Sequence, residues 1–503
     1  MPNASTKVYL FAKAKSGDHI SCDENEPAQA GRERTMDKKK LAGWLLTGVA
    51  SASLVPTSAL ADPAKEQQLE ARIEALERAF GALQGELQTT KSENAELRQA
   101  FVRADTKATE AVIAALALKP APAAVVDGFT VGNGATRVKI GGFLKTVGSF
   151  SRWSDGDVAA NTLGRDFYLP QSIPVGGVRE ATDNDFSAKQ TRLWLNLETQ
   201  IAGHTLKGYV ETDFQTAAGT QGTERTTNGY DLALRRVFVQ YDRLTVGQDW
   251  STFQYVGALP ETTDFVGPTE GTVFVRQPLV RYSMPVAKGL TLHASVENPE
   301  TAMANQGAPA LVENDDDSLP DFAARLNYAA GFGELSLAGL VRQLSFDNGG
   351  ISDKATGYGA SVAGKIFVDS TKRYDLRFMA TYGRGIGRYV GINFVPDAVL
   401  VTGANELRRV NTFAGFAALR LGWTPKLRST LMASYQDADY DAGLPAASIA
   451  AFNQSAWSVA GNLFWTPAAG FDLGIEYRHA VRQLVNGADG KLDRVEFAAK
   501  YSF

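Results

Sequence analysis

The chain has 503 residues, 44% of them hydrophobic and 21% charged, with 48 glycines and a formal charge of −4. It is too apolar for a disordered chain and not basic enough for a nucleic-acid binder, and its single cysteine excludes a disulfide framework. The length suffices for a large core or a large barrel.

Met36 opens "MDKKK", followed by the apolar run "LAGWLLTGVASASLV" and by "PTSALA" before Asp62. A basic start, a short apolar run and an A-x-A ending at Ala59, Leu60 and Ala61 read as a secretory signal peptide over 36–61. Residues 1–35 precede that signal and would obstruct it, so they are expected to be an upstream artefact of gene-start assignment and are left out of the fold. Removing residues 1–61 takes away 8 basic and 6 acidic residues and leaves 43 against 49, a charge of −6. Cys22 goes with them. An exported chain without cysteine suits the envelope of a Gram-negative bacterium, and no remaining apolar run has the length of a transmembrane helix.

Residues 62–112 are rich in Ala, Glu, Leu, Gln, Lys and Arg, with a heptad seam. Ile73, Phe80, Leu87, Asn94 and Phe101 take the a positions, and Leu69, Leu76, Leu83, Thr90 and Leu97 the d positions. A stripe that narrow suits copies of itself better than a globular core, so a periplasmic α-helical coiled coil in a homo-oligomer is expected, roughly 60 Å long at 1.5 Å per residue. The competing reading is an amphipathic helix packed on its own protein. A Pro/Ala linker over 113–127 ends the segment.

From 128 to 503 the texture changes to alternating segments of about ten residues. In "TRLWLNLETQ", Leu193, Leu195 and Leu197 oppose Arg192, Trp194, Asn196 and Glu198; "GLTLHASVE" and "FDLGIEYRH" repeat the pattern. Tight turns are expected at Ala202–His204, Asp242–Arg243, Ala287–Gly289, Ala330–Gly333, Asp369–Arg373, Thr424–Lys426 and Pro467–Gly470, with long loops between the hairpins. Seven short turns imply an all-β transmembrane barrel of about sixteen antiparallel strands in the outer membrane, with both ends on the periplasmic side. The last strand, "VEFAAKYSF", must close against "TRVKIGGFLKTVG", and its aromatics would face the lipid. An ending in Phe503 also resembles the signal read by barrel-assembly machinery. A secreted all-β repeat protein is the alternative.

Such a barrel leaves a water-filled channel. The loop after the fifth strand, Asp249 to Gln277, is unusually apolar, with Trp250, Phe253, Tyr255, Val256, Phe265, Val266 and Phe274. It is expected to fold into the barrel and narrow it, bringing Glu261, Asp264 and Glu270 along; covering a neighbouring subunit is the other possibility.

"GALPETTDFVGPTEGTVFVRQPLVRY" (Gly257 to Tyr282), preceded by "VGQDWSTF" and combined with an N-terminal coiled coil, resembles the DcaP-like outer-membrane porin family. The resemblance implies a homotrimer of sixteen-stranded barrels, an inward third loop, and diffusion of small anionic solutes, including dicarboxylates.

Strand parity independently turns Arg192, Arg281, Arg325, Arg342, Arg377, Arg420, Arg428, Arg478 and Arg494 inward. An arginine ladder favours anions, although Glu198, Glu211, Asp213, Asp375, Asp472, Glu476 and Glu496 also point inward, so mutual pairing is the competing role. Arg276 and Arg281 bracket the return from the loop and are the preferred solute contacts. Parity through Arg235 and Arg236 is ambiguous. His204, His293 and His479 make no metal-ligand spacing, and neither a nucleophile elbow nor a phosphate loop is present, so neither catalysis nor a cofactor is expected. A non-selective or sugar-type porin, or an envelope tether with little transport, are the other readings.

Overall fold

The computed structural model describes residues 128–503 except 133, 217–228, 315 and 402. The upstream segment 1–35, the signal 36–61, the helix 62–112 and the linker 113–127 lie outside the described residues.

The chain enters through β1 (Phe129–Val131), which folds back on the lower end of β2 (Thr136–Trp153). β3 (Ala181–Ser187) and β4 (Arg192–Ile201) both pair antiparallel with β2, β3 with its upper half and β4 with its lower half. They are therefore one spanning strand interrupted at 188–191. β5 (His204–Asp213), β6 (Ala233–Tyr241), β7 (Leu244–Trp250), β8 (Arg276–Ala287) and β9 (Leu290–Glu297) follow, each paired with its predecessor. β10 (Ala302–Asn305) and β11 (Ala308–Glu313) form a small hairpin in the next loop. The wall resumes with β12 (Asp321–Ala330), β13 (Gly333–Asp347), β14 (Ser352–Phe367) and β15 (Tyr374–Arg384). A second loop hairpin, β16 (Ala398–Val401) and β17 (Glu406–Arg409), joins the first through parallel pairing of β10 with β16. The wall ends with β18 (Asn411–Gly422), β19 (Leu427–Asp439), β20 (Asn453–Ala468), β21 (Phe471–Leu484) and β22 (Asp489–Ser502).

β22 then pairs with β2 in the register Phe143↔Ser502 to Trp153↔Leu492, and the sheet closes. Among the described residues it contains eighteen segments; without β1, and with β3 and β4 as one, sixteen antiparallel strands form the barrel. All seven expected turns lie where the sequence places them. The first is made by Ala202 at φ 51° and Gly203 at φ 85°, a two-residue reversal that suits the strand twist.

Closure leaves no sheet edge in lipid. Outward positions are apolar and exposed, among them Ile140, Leu144 and Phe150 on β2 and Phe497 and Tyr501 on β22. Exposed Tyr241, Tyr282, Tyr328, Trp465 and Tyr501 ring the short-turn side, and Tyr358, Tyr382, Phe413, Tyr435 and Trp457 ring part of the long-loop side, the pattern of interfacial girdles.

Candidate pore constriction

Residues 251–275, between β7 and β8, enter the barrel. Inward side chains hold this loop from many sides. The Lys145 ammonium on β2 donates to the Thr263 carbonyl at 2.6 Å, and Glu476 on β21 accepts from the Thr262 hydroxyl at 2.7 Å. Asn462 on β20 donates to the Glu261 carbonyl at 2.8 Å, and Arg377 on β15 to that of Leu259 at 2.5 Å. Glu297 on β9 accepts the Thr252 N–H at 2.7 Å. At Gly271 the loop touches the wall main chain: a Cβ there would lie 2.3 Å from the Gly415 carbonyl oxygen on β18. Of the apolar residues expected to avoid solvent, Phe253, Tyr255 and Val266 are buried and Trp250, Phe265 and Phe274 partly so, whereas Val256 is exposed. Phe253, Ala258, Val273 and Val275 join a buried cluster with Leu340, Met379 and Tyr389.

Two more loops close over it. The first long loop, with its short helix α1 (Leu163–Asp166), places the Tyr168 N–H 2.9 Å from the Asp264 carboxylate, and the Tyr168 ring lies 4.7 Å from the Arg478 guanidinium. Burial, with the Glu270 carboxylate beside it, pushes the Tyr168 phenol well above its ordinary range. From the loop after β15, Tyr389 accepts the Phe274 N–H at 3.0 Å, and the Gly391 N–H bonds to the Thr272 carbonyl at 3.0 Å.

Where the inward loop leaves and rejoins the wall, cations and aromatic rings alternate. Arg276 lies 5.1 Å over the Trp250 ring, and Arg235 lies 5.8 Å from the same ring and 5.2 Å from Phe265. Arg192 lies 5.8 Å from Phe265 and 5.4 Å from Phe143, and Lys500 lies 5.8 Å from Phe143. Such contacts hold a guanidinium in place without neutralising it. Arg192 and Arg235 are paired with Asp213 at 3.3 and 2.5 Å, and Arg236 with Asp249 at 2.6 Å. Among the described residues the Arg276 side chain has neither an ion pair nor a hydrogen bond, only the Trp250 ring.

Of the acids expected on the loop, Glu261 alone is half-buried and meets the wall as a charge, 2.6 Å from Arg428 and 4.0 Å from Arg420. Asp264 is buried and accepts the Val266 and Gly267 N–H groups at 3.2 and 2.9 Å, fixing the loop's shape. Glu270 is fully buried and accepts the Ser434 hydroxyl at 2.6 Å. Both are buried in the packing of the loop, as is Phe253 at 1% exposure.

The expected arginines divide in the same way. Arg192 and Arg276 enter the cation–aromatic arc, while Arg281 is paired with Asp249. Arg325 donates to the Thr252 carbonyl at 3.2 Å, beneath the loop. Arg377 is bound to Asp375 at 2.6 Å and to the loop main chain. Arg342 does not line open water. Its side chain is fully buried against Asp321 at 3.3 Å and Asp397 at 2.9 Å, where the outer loops meet the wall.

Parity alone leaves Arg235 and Arg236 ambiguous. The β5–β6 pairing shifts register between Glu211 and Thr212, a bulge that turns both arginines inward. Adjacent arginines in an otherwise apolar strand are the signal that marks such a break. Lys145, on the inward face of "GGFLKTVG", was also missed and anchors the loop.

The sequence profile described as the porin subfamily matches residues 125–497. No significant match was found among curated proteins. Among solved structures, the outer membrane channel DcaP of Acinetobacter baumannii is 24% identical, with 75% of this chain and 100% of that one covered and a TM-score of 0.62. OmpT of Vibrio cholerae is 12% identical over 74% of this chain and 99% of that one, with a TM-score of 0.46. The anion-selective porin from Comamonas acidovorans is 12% identical over 73% of this chain and 100% of its own, with a TM-score of 0.46.

Proposed function

Because the chain belongs to the porin subfamily, we propose that its barrel is a water-filled passage for the passive diffusion of small hydrophilic solutes, with a preference for anions such as dicarboxylates. The carrying observation is an excess of cations along two stretches of the wall beside the inward loop. On one wall, Arg192, Arg235, Arg236, Arg276 and Arg281 face Glu211, Asp213 and Asp249. On the other, Arg377, Arg420, Arg428 and Lys500 face Glu261, Asp375 and Asp472. Both walls keep surplus positive charge, and the low-dielectric surroundings strengthen its pull on an anion. Arg276 is the strongest single contact, since no described carboxylate is ion-paired with it.

A porin of this subfamily resides in a Gram-negative outer membrane, where the outward aromatics meet lipid. We read the assembled form as a homotrimer with the 62–112 coiled coil in the periplasm. The strand ending in Phe503 is the part that barrel-assembly machinery would engage.

The test is the reversal potential of the purified protein in a planar bilayer under a potassium chloride gradient. The sign expected is that of a chloride-preferring pore, with conductance rising in steps. A potential of zero would leave a non-selective or sugar-type pore, and absence of conductance would leave a tether.

A further inference from the structure

On the short-turn side of the inward loop, the barrel wall holds a recess of about 250 Å³. Gln240, Thr245, Ser283 and His293 flank it from the turns below, and Gln254 and Val256 of the loop cover it. It is smaller than pockets that enclose drug-sized ligands, so it suits a small solute or one end of a longer one.

Three guanidinium groups face it, from Arg236, Arg281 and Arg325. The first two both pair with Asp249, and Arg236 also lies 3.4 Å from Glu211. Arg325 has no carboxylate partner among the described residues; it donates to the carbonyls of Thr252 and Gln254 and lies 5.7 Å over the Tyr255 ring. Its buried Nε has no hydrogen-bond partner. The loop's main chain thus fixes the guanidinium in direction while leaving its charge and part of its fork unsatisfied, the arrangement that grips an oxyanion. His293 is held between the Ser283 hydroxyl at 2.8 Å and Asn327 at 3.3 Å, so it forms a rigid wall.

We propose that this recess is a second anion subsite, in which Arg325 and Arg281 bind one carboxylate or sulfate group on the short-turn side of the inward loop. The proposal rests on the channel reading above, and it makes passage a transfer between two sites separated by the loop. It therefore requires saturable binding, with a sidedness that a uniformly charged bore would lack.

The experiment uses the full chain in planar bilayers. The reversal potential in potassium chloride is measured first, then sodium sulfate is titrated from each side and the fall in chloride current recorded. The wild type is expected to show saturable block, with a lower half-block concentration from the short-turn side. Losing a charge-assisted contact, Arg325→Met should raise that concentration about tenfold. Arg325→Lys keeps the charge without the fork and should give a smaller rise, which also guards against a folding defect in the methionine variant. Equal half-block for the wild type and Arg325→Met would overturn the subsite. A wild type without chloride preference, seen before sulfate is added, would instead overturn the anion preference proposed above, and one without conductance the channel itself.

Discussion

One residue type serves three purposes in this barrel, and the difference lies in what faces it. Arg342 has its charge neutralised by two fully buried carboxylates, Asp321 and Asp397. Arg377 is divided between Asp375 and a loop carbonyl, whereas Arg276 has only an aromatic ring. Removing each should therefore have a different readout. Arg276→Met should move the reversal potential toward zero with little change in heat resistance. Arg342→Met leaves Asp397 without its cation, and Asp321 with only Arg388 at 3.7 Å, in a buried site, which costs about 3–5 kcal/mol; it should expose the loops 298–320 and 385–410 to protease while leaving selectivity near wild type. If Arg342→Met altered selectivity as much as Arg276→Met, the assignment of one to structure and the other to solute would fail. Parity was enough to turn the strand arginines inward, because alternation is a local property of a strand. It could not tell a free arginine from a buried one, because the acids that bury Arg342 come from other strands and loops.

At the scale of the element, the inward loop was legible because so many apolar side chains could not rest in water between two strands. Its seat was not, since it depends on Gly271 meeting Gly415, a contact with no local pattern. The loop sheet of β10, β11, β16 and β17 escaped for a similar reason: β10, β16 and β17 have four residues each, too few to show a period, and non-local pairing makes the sheet. The seat gives a direct prediction. In Gly271→Val, the added atoms would begin 2.3 Å from the Gly415 carbonyl oxygen, so the loop must lift from the wall. Lifting it should change single-channel conductance while the barrel stays closed and resistant to heat. Unchanged conductance would mean that the loop does not set the narrowest point.

The whole molecule depends on a seam between strands far apart in sequence, β2 and β22. The last backbone bonds of that seam run both ways between Gly142 and Phe503, at 3.2 and 3.1 Å. The inward loop is tied to the same region, since Lys145 on β2 and Glu476 on β21 both hold it. Closure and constriction are therefore coupled: the loop finds its full set of partners only once the first and last strands have met. Deleting Tyr501–Phe503 tests this coupling. It removes the Leu144↔Tyr501, Phe143↔Ser502 and Phe471↔Tyr501 pairings and the Gly142 bonds, leaving main-chain donors of β2 unpaired where lipid begins. The truncated protein should lose the heat-resistant electrophoretic form and, in any fraction that still inserts, show noisy conductance of variable size, because the loop has lost its fixed frame. A truncated barrel with wild-type heat resistance and steady conductance would show that the loop is seated independently of the seam.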